Sequence, residues 1–190
     1  MNIILDFMES IRDYDTENFI RSILFCFGAP TIKGLKAATL INFRRNNEDM
    51  RTVWTSHADE WLNASGVEWL MLNDRGKNAL VLIFRRELLA RALGCSKACD
   101  ILRDCGYPLH DVDACLRCLR EKFCVSFPHE IGLFLDYPPD DVRGFMEDRN
   151  AKNLLQPGYW KVYSNVRKAR RTFRKYKRAE YDAARSLMGR

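Results

Sequence analysis

Val67-Glu68-Trp69-Leu70-Met71-Leu72 is followed, across Asn73-Asp74-Arg75-Gly76-Lys77-Asn78, by Ala79-Leu80-Val81-Leu82-Ile83-Phe84. Both six-residue runs are apolar and rich in residues that favour extended backbone. The segment between them is polar and carries Gly76, which can supply a positive φ. That arrangement predicts a β-hairpin with a longer loop.

Upstream of the hairpin, 48–62 repeats apolar residues at Met50, Val53, Trp54, Ala58, Trp61 and Leu62, a helical spacing ended by Gly66. Residues 37–43 read as a short strand. Residues 16–27 set Phe19, Ile20, Ile23, Leu24 and Phe27 on one helical face, with Gly28 and Pro30 as a stop.

Downstream, a helix is expected from 85 to 93 with the stripe Leu88, Leu89, Ala92 and Leu93. The stretch 95–149 reads as all helical, with candidates at 96–105, 112–123, 129–135 and 140–149. The segment Gly158-Tyr159-Trp160-Lys161-Val162-Tyr163-Ser164 is aromatic and β-branched and is predicted as a last strand. Asn165 can then cap a long final helix over 165–188. Its stripe is Val166, Ala169, Phe173, Tyr176, Ala183 and Leu187, interrupted at Glu180.

The expected fold is therefore α+β. A small, mostly antiparallel sheet of about four strands is packed with many helices, in one domain over 1–190. The helical region 95–149 is inserted before the last strand. A weak repeat runs through that region. Tyr107-Pro108-Leu109-His110-Asp111-Val112 returns thirty residues later as Tyr137-Pro138-Pro139-Asp140-Asp141-Val142, which suggests tandem helical hairpins.

Composition narrows the function classes. With 190 residues, 47% hydrophobic and 29% charged, the chain suits a globular domain rather than a disordered or fibrous one. The first ten residues contain Asp6 and Glu9 and no Lys or Arg, unlike a secretory signal. The apolar runs fall far short of the roughly 20 residues that span a bilayer. Seven cysteines without an export signal favour reduced thiols in a cytoplasm. The net charge of +6 is uneven: 161–190 holds eleven Lys/Arg against two acids, which leaves the other 160 residues at −3.

Five groupings carry candidate chemistry. Cys95, Cys99, Cys115 and Cys118 are soft ligands that a zinc ion or an iron–sulfur cluster could use, with Cys105, Cys124, His110 and His129 nearby. Their helical placement favours structural thiols, and Cys115 shares an apolar face with Val112, Leu116, Leu119 and Phe123. Pro128-His129-Glu130 opens a predicted helix, where a neutral His could serve as acid, base or ligand. Residues 131–142 have the pattern of a helix-turn-helix, but the second helix is acidic, which argues against nucleic acid. The basic final helix, Arg167 to Arg178, could meet an acidic partner protein; a solvated face is the plainer alternative. Alternation on the last strand puts Tyr159, Lys161 and Tyr163 on one side. No Walker loop, GxGxxG, HExxH or nucleophile elbow occurs, so no cofactor is assigned.

The stretch Phe127-Pro128-His129-Glu130-Ile131-Gly132-Leu133-Phe134-Leu135, then Tyr137-Pro138 and Asp141-Val142, then Gly158-Tyr159-Trp160-Lys161-Val162-Tyr163, resembles a domain-of-unknown-function family, number 3793. Ala29-Pro30-Thr31 with Gly34 and Lys36 adds to the likeness. The family is found mostly in anaerobic Gram-positive bacteria. Asp136 departs from its pattern, which usually has Gly before Tyr-Pro. The resemblance implies a bacterial cytoplasmic protein, and the setting of the family's genes implies a loose link to iron or redox metabolism. It raises interest in His129, Glu130, Lys161 and Tyr163 and supplies no mechanism.

The leading expectation is a non-enzymatic binding or accessory protein, with no membrane partner. An enzyme using His129 and Glu130 as acid and base, or a nucleic-acid binder through the basic helix, are the alternatives. For a ligand site, His129, Lys161 and Tyr163 are expected to bound a small anion-accepting pocket, with Glu130 orienting or excluding the ligand.

Overall fold

The computed structural model describes residues 2–45, 48–73, 76–148 and 152–189. Asp74 and Arg75 of the predicted hairpin loop, and Arg149 at the end of the predicted helix 140–149, lie outside them.

Three strands form one sheet: β1 (Ala38–Phe43), β2 (Glu68–Met71) and β3 (Ala79–Phe84), in the order β1-β3-β2 and antiparallel throughout. Ala38 pairs with Phe84 and Phe43 with Ala79; Glu68 pairs with Phe84 and Met71 with Val81. The central strand β3 is apolar at every position because both sheet faces are covered. Ala79, Val81 and Ile83 point into one core with Ile41, Phe43 and Met71. Leu80, Leu82 and Phe84 point into a second core with Ala38, Leu40, Leu70 and Leu72. A continuous apolar run is commoner in buried parallel sheets, and helices on both faces produce it here in an antiparallel one.

The first core is closed by α1 (Ile3–Ser10), α2 (Thr16–Phe27) and α4 (Met50–Leu62). Trp54 is fully buried there, stacked on Phe43 with ring centroids 5.0 Å apart. The helix α1 was not expected from the sequence. Asp15 and Asp49 cap α2 and α4 by accepting the Asn18 and Thr52 N–H groups. Pro30 does not end helical structure after α2: the chain goes straight into α3 (Ala29–Ile32), with Pro30 near its start.

The second core is closed by α5 (Arg86–Leu93), α6 (Ser96–Asp104), α7 (Val112–Val125), α8 (Ile131–Phe134) and α9 (Pro139–Glu147). The Tyr-Pro repeat has a common structural cause. Gly106 and Asp136 both adopt the left-handed conformation, at φ 78° and 61°. The Tyr107 N–H then bonds back to the Leu102 carbonyl, and the Tyr137 N–H to the Gly132 carbonyl, each at 2.9 Å. Both are Schellman closures of the preceding helix, followed by a proline that cannot continue it. The left-handed backbone at 136 is a conformation that glycine adopts most readily.

The predicted fourth strand does not form. Residues 158–164 make only an isolated bridge, Gln156 to Val162. The buried Asp141 carboxylate replaces a neighbouring strand as partner. It accepts Trp160 Nε1 at 2.7 Å, the Tyr163 N–H at 2.8 Å and the Ser164 N–H at 2.7 Å. Trp160 and Val162 enter a third core with Ala169 and Tyr176 of the final helix α10 (Val166–Leu187). That helix begins at Asn165, whose side chain accepts the Lys168 N–H. It docks through Ala169, Tyr176, Ala179 and Ala184, while Leu187 of the predicted stripe is exposed.

Candidate functional site

Lys36 stands between α3 and β1 on a segment fixed from both sides. Arg85 Nε donates to the Thr31 carbonyl at 2.8 Å, its guanidinium also reaches the Ile32 carbonyl, and the Arg85 N–H bonds the Ala37 carbonyl at 2.9 Å. These bonds complete the end of α3 and send the Lys36 side chain inward. Lys36 is only 6% exposed. Its ammonium lies over two aromatic rings, 5.4 Å from the Tyr137 centroid and 5.6 Å from that of Tyr176.

Among the described residues, no carboxylate forms an ion pair or hydrogen bond with Lys36. Glu180 and Asp136 act on it through space. Burial dominates and lowers its pKa from 10.5 to about 8, with the two carboxylates pulling the other way. Glu180 is itself raised by burial, despite accepting the Tyr159 hydroxyl at 2.6 Å. The Asp136 carboxyl accepts the Ala37 N–H at 3.4 Å, and desolvation raises its pKa. Burial pushes Tyr137 up to about 12 and raises Tyr159 and Tyr176 as well.

Lys36, Glu180 and the three tyrosines line a cavity of about 480 Å³. Its apolar wall includes Phe19, Ile23, Phe27 and Ile41, and its polar end carries Lys36, Glu180 and Tyr159. An apolar space of this size with a few convergent polar groups of shifted pKa is the usual form of a small-molecule site. In the sequence Lys36 stands out only within the family resemblance. The sequence signal that points to the cavity is Glu180, where the apolar stripe of the last helix is interrupted.

Of the four expected pocket residues, two share a cavity and the other two lie apart. His129 and Lys161 line one shared cavity of about 260 Å³ with Phe145 between them. Lys161 Nζ is 4.9 Å from the Phe145 centroid, and the His129 ring meets it edge-on at 5.2 Å. Glu130 and Tyr163 do not line this cavity. Glu130 is buried on another side, where its carboxylate accepts the Tyr107 hydroxyl at 3.1 Å and lies 3.7 Å from Lys122 Nζ. The Tyr163 ring lies against Gly144. The His129 and Glu130 side chains thus face different surroundings. The helix also starts later than expected, at Ile131, so both residues precede it.

The cysteines are spread over separate environments. Cys95 precedes α6 in extended backbone and is exposed, so it does not share a helical face with Cys99. Cys99 Sγ donates to the Leu93 carbonyl and Cys115 Sγ to the Pro108 carbonyl. Cys115 is 4% exposed, and its thiol is pushed up to about 11, mainly by burial. Among the described residues, no three His, Cys, Asp or Glu side chains converge as a metal-binding group. No helix among them is long and apolar enough to cross a membrane.

Asp141 ties α9 to the segment bearing Trp160. A Cβ at Gly158 would fall 2.1 Å from the Phe173 ring, so only glycine fits. The family model described as "Protein of unknown function (DUF3793)" matches residues 24–189, and the chain belongs to that family. No curated protein and no solved structure matches the chain.

Proposed function

We propose that the protein binds a small, largely apolar molecule whose oxygen-bearing polar end meets Lys36. One observation carries this reading: a lysine buried to 6% exposure points into a sizeable cavity without an ion-pair partner among the described residues. A buried ammonium is costly unless paired. A ligand oxygen supplies the missing partner. Glu180 and the Tyr159 hydroxyl fix the ligand's orientation, and the apolar wall takes its body.

The test uses two fluorescent probes of similar bulk, anionic 8-anilinonaphthalene-1-sulfonate and neutral N-phenyl-1-naphthylamine. Saturable sulfonate binding should weaken at least tenfold in Lys36→Met, with binding of the neutral probe retained. Equal sulfonate affinity in the variant and the parent overturns the assignment.

A second reading places an anionic ligand between His129 and Lys161, and the cavity they share favours it. Loss of sulfonate binding in Lys161→Met, with Lys36→Met unaffected, would move the site there.

A further inference from the structure

Resting on the ligand cavity proposed above, we infer that Lys36 is a nucleophile that condenses with the aldehyde or ketone group of its ligand to form an imine. Three features of the site support this chemistry. The amine is held in a cavity rather than extended into solvent, so a bound carbonyl compound can present its carbon to it. The two tyrosine rings and the segment fixed by Arg85 restrict the side chain, which keeps the amine at one place in the wall. A carboxyl group, Glu180, lines the same cavity and is anchored by the Tyr159 hydroxyl.

The groups facing the amine set its protonation. Glu180 comes from α10 and Asp136 from the turn after α8; Arg91 and Lys168 in turn face Asp136. Tyr137 and Tyr176 flank the ammonium and are themselves held neutral by burial. With its pKa lowered to about 8 by burial, Lys36 is neutral near pH 7.5 far more often than an ordinary lysine.

The step balances without any oxidant or reductant. The nitrogen lone pair of the neutral amine attacks the carbonyl carbon, a C–N bond forms, and the carbonyl electron pair moves to oxygen. The oxygen gains a proton and nitrogen loses one, giving a neutral carbinolamine. Nitrogen then gives up its second proton as the hydroxyl leaves as water, and its electron pair closes the C=N bond. One amine and one carbonyl compound yield one imine and one water. Glu180, with its raised pKa, is the group placed to take a proton from nitrogen and return it to the departing hydroxyl.

Benzaldehyde with sodium cyanoborohydride tests this in the full chain, since hydride from the borohydride converts the imine to a stable benzylamine. At pH 7.5, peptide mass spectrometry should find the benzyl group on Lys36 at least tenfold above Lys161 or Lys168. Labelling should rise with pH through about 8 and disappear in Lys36→Met. Glu180→Gln should slow the labelling of Lys36 while leaving that of Lys161 unchanged. Labelling spread evenly over surface lysines, or absent from Lys36, overturns the inference. If sulfonate binding still depends on Lys36 in that case, the ligand site stands and only the covalent step falls.

Discussion

Replacing Lys36 with methionine should stabilise the fold below pH 8. The substitution keeps the length of the side chain and removes its charge. Lys36 has its pKa lowered from 10.5 to about 8, a value that already includes the favourable pull of Glu180 and Asp136. At 1.36 kcal/mol per tenfold change in proton affinity, holding the charged form in place costs about 3 kcal/mol. The contacts with Tyr137 and Tyr176 return part of this, at about 0.5–1 kcal/mol each. A net gain of about 1–2 kcal/mol is expected for Lys36→Met at pH 6.5. The pH dependence has a definite sign. Between pH 8 and 10.5 the unfolded chain keeps the Lys36 proton that the folded chain has released, so the parent gains stability with rising pH in that window. The advantage of the variant should be full below pH 8 and vanish by about pH 10.5. Urea denaturation followed by tryptophan fluorescence at pH 6.5 and at pH 9.5 measures both. A variant less stable than the parent at pH 6.5 would refute the reasoning and make Lys36 an ordinary structural cation.

Three further outcomes follow from the packing. Asp141→Ala leaves Trp160 Nε1 and the Tyr163 and Ser164 N–H groups without their acceptor and should cost at least about 3 kcal/mol in chemical denaturation. A cost under about 1 kcal/mol would show that water replaces the carboxylate. Gly158→Ala drives a methyl group into the Phe173 ring and should cost about 1–3 kcal/mol, read as a lower melting temperature. An unchanged melting temperature would mean that the ring moves aside freely. Cys115→Asp should destabilise by several kcal/mol, because it buries an unpaired charge among Leu116 and Leu119. An unaltered denaturation midpoint would show that position 115 is not in the core.

Most of the fold was legible because hydrophobic spacing reports burial directly. The hairpin, the helices over 16–27 and 50–62, and the long docked last helix all rest on such spacing. The fourth strand was misjudged for a physical reason. Trp160 and Val162 alternate as strand residues do, but alternation records only that one side is buried. It does not say whether the backbone partner is another strand or a carboxylate about twenty residues away in the helical region. The candidate site was hardly legible at all. Lys36 is an unremarkable residue in a turn, and its setting depends on Tyr137, Tyr176 and Glu180, which lie about 100 to 145 residues further along. His129 and Lys161 line one cavity, whereas Glu130 shows that chain neighbours need not face the same space.

The cavity has one further property, which follows from where its walls come from. Lys36, Phe19 and Ile41 belong to the sheet and the helices before it, whereas Tyr159, Tyr176 and Glu180 belong to the last thirty-odd residues. That last segment contributes no strand to the sheet. It is attached by the Asp141 carboxylate and by one face of α10. The cavity therefore lies along a seam between two parts of the chain that can separate without breaking any strand pairing. A molecule filling it would act as a mortar across that seam. Occupancy should slow amide exchange along α10 more than in β3, even though β3 lies deeper in the molecule.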